Sequence, residues 1–415
     1  MKKIIWLLLS GLMADPLLAQ DFEWMPDRRK DQFPTEQAHL IVPLPYSYPG
    51  IGEGVFLIGN VSNIAGSTMD GALISILGDV GGTVFQGDEI PLIENRLLLH
   101  VFLQDINRAV VNNYQIRGMD GSREFNLLDV SSADQKRIQL KYTVQDRRLN
   151  FFIDYQENSF ALDAIRESDG DVIQQLAEPF RSSSRNTLLG FNLDYTDDYL
   201  DPRRGFRFEL TYSDQPPDSA DDPDFYTLDF SALLYIPYLT NDVLVLHYYQ
   251  SDAHVRRAGN TDPASIRAEL DLQCDAADMR CMSAEQQLVG NTINERLHGT
   301  ANSLGGLDRL RSYPDGRFQG GHMAFIGAEY RWNMEDEQTP FNLLFWKDVT
   351  TSKQIALFAE VGTVAETSAA VWDEYRSSVG VGFRLITASG SVYRADFAYG
   401  DEGSESAVFF FYPWK

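Results

Sequence analysis

The chain has 415 residues, a formal net charge of -25 and 44% hydrophobic residues. That acidity argues against a nucleic-acid partner, whose phosphates would repel it. Past the N-terminus no run is apolar for the roughly 20 residues that a transmembrane helix needs.

At the N-terminus Lys2 and Lys3 precede the apolar run Ile4 to Leu9, Leu12 and Met13 extend it, and a small-residue junction follows at Ala19-Gln20. This pattern describes a secretory signal peptide over residues 1–19. Asp15 and Pro16 break the run too early for a membrane anchor. An exported chain without a spanning helix is either soluble or a β-barrel, because helices and closed barrels alone satisfy their backbone groups in lipid. The remaining stretch of about 395 residues suits one large barrel better than one compact domain. Residues 20–50, with Pro26, Pro34, Pro43, Pro45 and Pro49 and the basic trio Arg28, Arg29 and Lys30, read as an irregular periplasmic lead-in.

From residue 51 to 415 the chain reads as all-β. Ile138, Leu140, Tyr142 and Val144 alternate with polar residues, as do Phe206, Phe208, Leu210 and Tyr212. Val379, Val381, Phe383 and Leu385 alternate with Ser378, Gly380, Gly382 and Arg384. Side chains two apart share a face, so each segment has an apolar and a polar side. Candidate strands lie near 54–62, 70–77, 81–91, 95–106, 123–132, 135–146, 149–157, 186–196, 203–213, 224–237 and 242–256. After a long loop at 257–317 come 318–333, 353–364, 375–387, 391–399 and 406–414. Many reach the length of about 10 residues at which a tilted strand crosses a bilayer. Tyr195, Tyr199, Tyr212, Tyr235, Tyr238, Tyr248, Tyr249 and Trp332 gather near segment ends, where interfacial girdles belong. The expectation is a transmembrane antiparallel β-barrel of about 16 strands, integral to a bacterial outer membrane. Asp218, Asp221, Asp222 and Asp224 fall in a solvated loop.

No nucleophile elbow, phosphate-cradling glycine loop or His-Glu zinc pair is visible. The six histidines are scattered. A Ser/His/Asp set assembled in space stays open, since triads need no fixed spacing. The expectation is a protein that is not an enzyme, with no metal and no cofactor. Cys274 and Cys281 lie in the long loop with no histidine between them; a close pair in an oxidising compartment is most simply a disulfide.

The long loop ends in Gly305-Gly306-Leu307-Asp308-Arg309-Leu310-Arg311-Ser312-Tyr313-Pro314, then Arg317. Upstream stand Asp194-Tyr195-Thr196-Asp197-Asp198, Pro202 and Gly205; downstream stand Ala328-Glu329-Tyr330-Arg331, Leu357 to Gly362 and Arg376 to Gly382. In order and spacing these resemble the BamA/TamA family of outer-membrane insertases and translocons, also called the bacterial surface antigen family, over roughly residues 186–414. The tip Leu310-Arg311-Ser312-Tyr313 resembles the family's sixth-loop signature, with Ser312 in place of its glycine.

The resemblance implies that the long loop folds into the lumen and that its arginine pairs with acidic residues of the wall. Strand parity agrees. Ala324, Ile326, Ala328, Tyr330 and Trp332 form an apolar face that leaves Glu329 inside, and Ile355, Leu357, Ala359 and Val361 do the same for Glu360. An Arg311–Glu329/Glu360 cluster, with Tyr313 beside it, is expected to pin the loop; ordinary lumenal charges are the alternative.

The segment Ala407 to Lys415 reads as the closing strand, with Phe410, Phe411, Pro413 and Trp414 at its end; the terminal aromatic resembles an outer-membrane assembly signal. Pro413 cannot donate a ladder hydrogen bond, which fits either a strand end or a weakened seam between first and last strands. In the family's insertases that seam opens sideways. Working members also carry periplasmic POTRA modules, and the lead-in is too short for one, so the resemblance implies a POTRA-less member. Its expected role is insertion or translocation of outer-membrane proteins or lipids. The partners so implied are outer-membrane lipid and lipopolysaccharide, client β-barrels and a separate periplasmic accessory protein. The alternatives are a passive pore or structural barrel, and an outer-membrane hydrolase.

Overall fold

The computed structural model describes residues 36–114, 116–119, 125–270, 274–275, 277–336, 340–387 and 392–414. The expected signal peptide, and the lead-in as far as Thr35, lie outside the described residues.

Period-two alternation becomes a closed sheet. The first wall is β1 (Ala38–Tyr48), β2 (Gly52–Ser62), β3 (Asp70–Gly78) and β4 (Gly81–Ile93). Four long strands follow: β5 (Leu97–Tyr114), β6 (Phe125–Val144), β7 (Leu149–Arg166) and β8 (Val172–Asp194). Then come β9 (Gly205–Gln215), β10 (Asp224–Tyr238), β11 (Asp242–Arg257) and β12 (His322–Asp336). A small hairpin, β13 (Phe341–Leu343) and β14 (Trp346–Val349), precedes β15 (Thr351–Ala365), β16 (Arg376–Thr387), β17 (Val392–Gly400) and β18 (Gly403–Phe410). Each barrel strand pairs antiparallel with its neighbour, β12 pairs directly with β15, and β18 returns to β1. Sixteen strands therefore close the barrel, and the hairpin hangs from one end.

The outward face carries Leu57, Leu73, Ile138, Leu357 and Phe383, all exposed, while Glu329, Ser378 and Arg384 face inward and are buried. An exposed apolar belt around a closed sheet is a lipid face. The tight β3–β4 turn uses Gly78 at φ +131°, where a Cβ would lie 2.5 Å from the Glu53 carbonyl oxygen. A side chain fits neither that backbone nor that space.

Three expectations need correction. Residues 38–48, assigned to the irregular lead-in, form strand β1, paired with β2 from Ala38–Ser62 to Tyr48–Gly52. The stretches 123–132 and 135–146 belong to one 20-residue strand, β6, whose register shifts near Asp129 and Val130. Of the expected girdle, Tyr195, Tyr238 and Trp332 face outward, whereas Tyr199 and Tyr249 line a lumenal cavity and Tyr235 is buried. Parity, not position along the strand, decides which way an aromatic points.

The long loop, residues 258–321, turns back into the barrel. It carries α1 (Pro263–Glu269), capped by Asp262, and α2 (Met279–His298), capped by Asp278. Each aspartate accepts backbone N–H bonds that the first helical turn would leave unmade. Cys274 and Cys281 form a disulfide, their Cα atoms 5.4 Å apart, fastening the lead of α2 to its first turn. Among the described residues the two larger apolar clusters pack inside the barrel. One gathers Leu304, Leu310, Tyr313, Phe318, Phe325 and Trp414 around the loop; the other gathers Tyr46, Phe56, Ile58, Val80 and Ile106 behind the first strands.

Candidate functional site

The tip of the loop enters a charged pocket on the walls of β12, β15, β16 and β17. Gly305 and Gly306 make the approach at φ +106° and +89°. A Cβ on Gly305 would lie 2.1 Å from the Pro314 carbonyl oxygen, so the glycine pair is a steric necessity. The left-handed residue at the tip is Leu310, at φ +53°. Ser312, which stands where the family has glycine, does not take a left-handed backbone. Its N–H donates to Ser378 Oγ at 3.1 Å, and bare Gly400 leaves room for its hydroxyl.

Arg311 is 1% exposed and reaches both predicted carboxylates. Its backbone N–H and its Nε each donate to Glu360 at 2.8 Å, and Nη2 donates to Glu329 at 3.3 Å. Nη1 donates to Asp396 at 3.1 Å. The guanidinium plane sits 3.3 Å above the Phe358 ring centroid. Three wall arginines complete the array. Arg331 Nε donates to Glu329 at 2.8 Å, Arg384 Nη1 donates to Glu329 at 2.6 Å, and Arg394 Nη1 donates to Asp396 at 2.8 Å. Arg394 also reaches Asp308 of the loop at 3.2 Å. Four guanidiniums thus face Glu329, Glu360, Asp396 and the half-exposed Asp308, and the cluster is charge-balanced. Such an array holds geometry, because charge-assisted and forked bonds fix orientation as well as energy.

Tyr313 is fully buried beside the tip. Its hydroxyl donates to the Ser377 carbonyl at 3.3 Å and accepts from the Asp401 N–H, and its ring meets Phe318 edge-on. Burial pushes its hydroxyl up to about 12, so it remains a donor at any physiological pH. Further along, Arg317 pairs with Glu402 at 2.6 Å.

The C-terminal residues are not all on the seam. Phe410 ends β18, but Phe411 takes φ +65° and turns the chain into the lumen, so Phe411, Pro413 and Trp414 lie beyond the closing strand. Trp414 is 2% exposed, donates from Nε1 to the Asp308 carbonyl at 2.7 Å and packs on His247 and Phe325. A Cβ on Gly327 would lie 2.4 Å from that indole, so the wall is pared back to seat it. Tyr412 donates to Asp201 at 2.7 Å and lies under Arg331. The tail is thus part of the loop's seat.

Sequence reasoning found Arg311, Glu329 and Glu360 and missed Arg331, Arg384, Arg394 and Asp396. The signal was present: Arg331 is two residues from Glu329, and Arg384 stands on the polar side of the β16 alternation. Among the described residues, no group of three or more His, Cys, Asp or Glu side chains could hold a metal ion.

The seam itself is sparse. Among the described residues, Ser47 with Val408 is the one register pair between β1 and β18. Lower down, the edge of β1 meets β14 at His39–Lys347, Trp346 Nε1 donates to the Ile41 carbonyl at 3.0 Å, and Tyr393 donates to the Pro45 carbonyl at 2.7 Å.

Comparison with known proteins places this geometry in a family. The Omp85 superfamily domain matches residues 94–411. Among solved structures the chain is similar to BamA from Haemophilus ducreyi lacking POTRA domains 1–3, at 11% identity, TM-score 0.47, covering 90% of this chain and 69% of that one. It is also similar to CdiB from Escherichia coli, at 11% identity, TM-score 0.49, with 92% and 69% covered. CdiB from Acinetobacter baumannii gives 10% identity, TM-score 0.45, with 90% and 60% covered. No curated protein matches the sequence. With its domain match spanning more than half the sequence, the chain belongs to the Omp85 superfamily.

Proposed function

We propose that this barrel sits in the bacterial outer membrane and assists insertion or translocation of outer-membrane proteins or lipids through the β1–β18 seam, without catalysing a covalent reaction. The observation that carries the reading is the single Ser47–Val408 pair, set against full pairing of β1 with β2. The chemistry of β1 supports it. The carbonyls of Ile41 and Pro45 point to the seam side, so the missing N–H groups of Pro43 and Pro45 are missing from that same edge. An edge with few donors is easily parted, and its carbonyls can accept from a visiting strand. Client β-barrels, a periplasmic accessory protein, outer-membrane lipid and lipopolysaccharide are the partners this reading entails.

The test is an engineered disulfide between Ser47→Cys and Val408→Cys, in a Cys274→Ser/Cys281→Ser background and in cells depleted of any native copy. Locking is expected to abolish the protein's phenotype and reduction to restore it, with single-cysteine controls unaffected. A locked barrel that behaves like wild type would make seam opening unnecessary and put the structural-barrel reading first.

A further inference from the structure

Polar side chains normally line the inside of a large barrel, yet the first strands of this one are apolar on both faces. On β2, Val55 and Leu57 face outward while Phe56 and Ile58 are buried inside; on β3, Leu73 and Leu77 face outward while Ile74 and Ile76 pack inward. Behind these strands lies a cavity of about 320 Å³, within the range of ligand sites. Leu40, Val42 and Leu44 line it from β1, and Tyr393, Phe410 and Phe411 line it from the opposite side of the seam. The cavity therefore straddles the line where β1 and the last strands barely pair, between the Ser47–Val408 pair above and the β14 contact below.

We propose that this cavity is a lipid site that takes one acyl chain of a phospholipid with an ammonium headgroup, entering from the bilayer through the wedge beside β1. Length and charge both favour that occupant. Asp70 to Ile74 along β3 rises about 13 Å, close to the roughly 15 Å of hydrocarbon in one leaflet. At the end where β1 begins, Asp70 stands directly opposite Asp88 in the β3–β4 register, and both line the cavity. Asp70 also accepts from the Asn63 N–H at 2.9 Å, so two positioned carboxylates give that end of the cavity the charge that an ammonium headgroup complements. Asp88 is held in place by Gln86 and by His100, whose Nδ1 lies 3.2 Å away, so the carboxylate is positioned at the rim. The proposal rests on the membrane-spanning reading above, and not on seam opening.

The experiment uses the full chain in vesicles of phosphatidylethanolamine carrying a photoreactive diazirine midway along one acyl chain, with no client present. Adducts are expected on Leu44, Ile74 and Phe410. Ala72→Trp, which fills the cavity, is expected to lower them about tenfold, whereas Leu73→Trp on the outer face leaves them unchanged. Exchanging the probe for a phosphatidylglycerol of the same chains, or introducing Asp88→Asn, is expected to lower them as well; equal labelling would overturn the ammonium assignment. Wild-type adducts confined to Leu57, Leu73 and Leu77 would overturn the site outright, whether or not the filled variant folds. A seam lock that stops function while labelling persists would count against the insertion reading's rivals alone and leave the lipid site standing.

Discussion

Arg311 is almost fully buried with three carboxylates within 3.3 Å, so its removal strands charge and does more than delete a bond. Truncating one partner of a buried pair typically costs about 3–5 kcal/mol, because the other charge stays desolvated. Arg311→Ala is expected to lower the temperature at which the barrel loses its compact mobility on a denaturing gel and to expose residues 258–321 to protease. Arg311→Lys should recover part of the loss, since an ammonium keeps the charge and gives up the fork. Unchanged mobility and protease resistance in Arg311→Ala would reduce the cluster to ordinary lumenal charge. This part of the site was legible because the family resemblance implies that the tip arginine meets wall carboxylates, and parity independently places Glu329 and Glu360 inside. Trp414 was not: its position follows from a left-handed backbone at Phe411, and nothing in a non-glycine residue announces that conformation.

At the scale of elements, alternation makes most strands readable and prolines hide one. Pro43 and Pro45 argue against a central strand, and that argument is sound: β1 is an edge strand whose proline side faces the seam. The split of β6 has a different cause. Strands β6 and β8 run for 20 and 23 residues, well past the 9–11 or so that cross lipid, and beyond the membrane neither face must be apolar. Alternation fades there, and Ala133 and Asp134 read as a break. The hairpin β13–β14 is not legible in the sequence because it is short and pairs with a strand some 300 residues away, at His39–Lys347. It clasps the edge of β1 where β18 no longer reaches. Trp346→Ala, which removes the bond to the Ile41 carbonyl, is expected to raise amide hydrogen exchange between His39 and Ser47 about fivefold, the worth of one hydrogen bond. Exchange confined to its wild-type rate would mean that the hairpin rests on β1 without holding it.

At the scale of the molecule the lumen is divided. One side is apolar and lies behind the seam; the other is polar, and the loop tip, the arginine cluster and the C-terminal tail meet there. A barrel of 16 strands is wide enough to leave an aqueous channel when empty, so whether this one conducts depends on what fills it. The two helices lie toward the mouth of the loop, whereas Arg311 and Trp414 sit deeper, packed against the wall. Deleting residues 262–299, with both helices, is therefore expected to leave single-channel conductance low in planar bilayers. Deleting the tip, residues 304–317, is expected to raise it several-fold, because the arginine cluster and the C-terminal tail then lose the segment they hold in the polar half. If removal of the helices alone opens the channel, the barrier is at the mouth and the arginine cluster is a brace that seals nothing. If neither deletion conducts, the walls themselves close the lumen, and the loop's seat serves the stability of the sheet beside the seam.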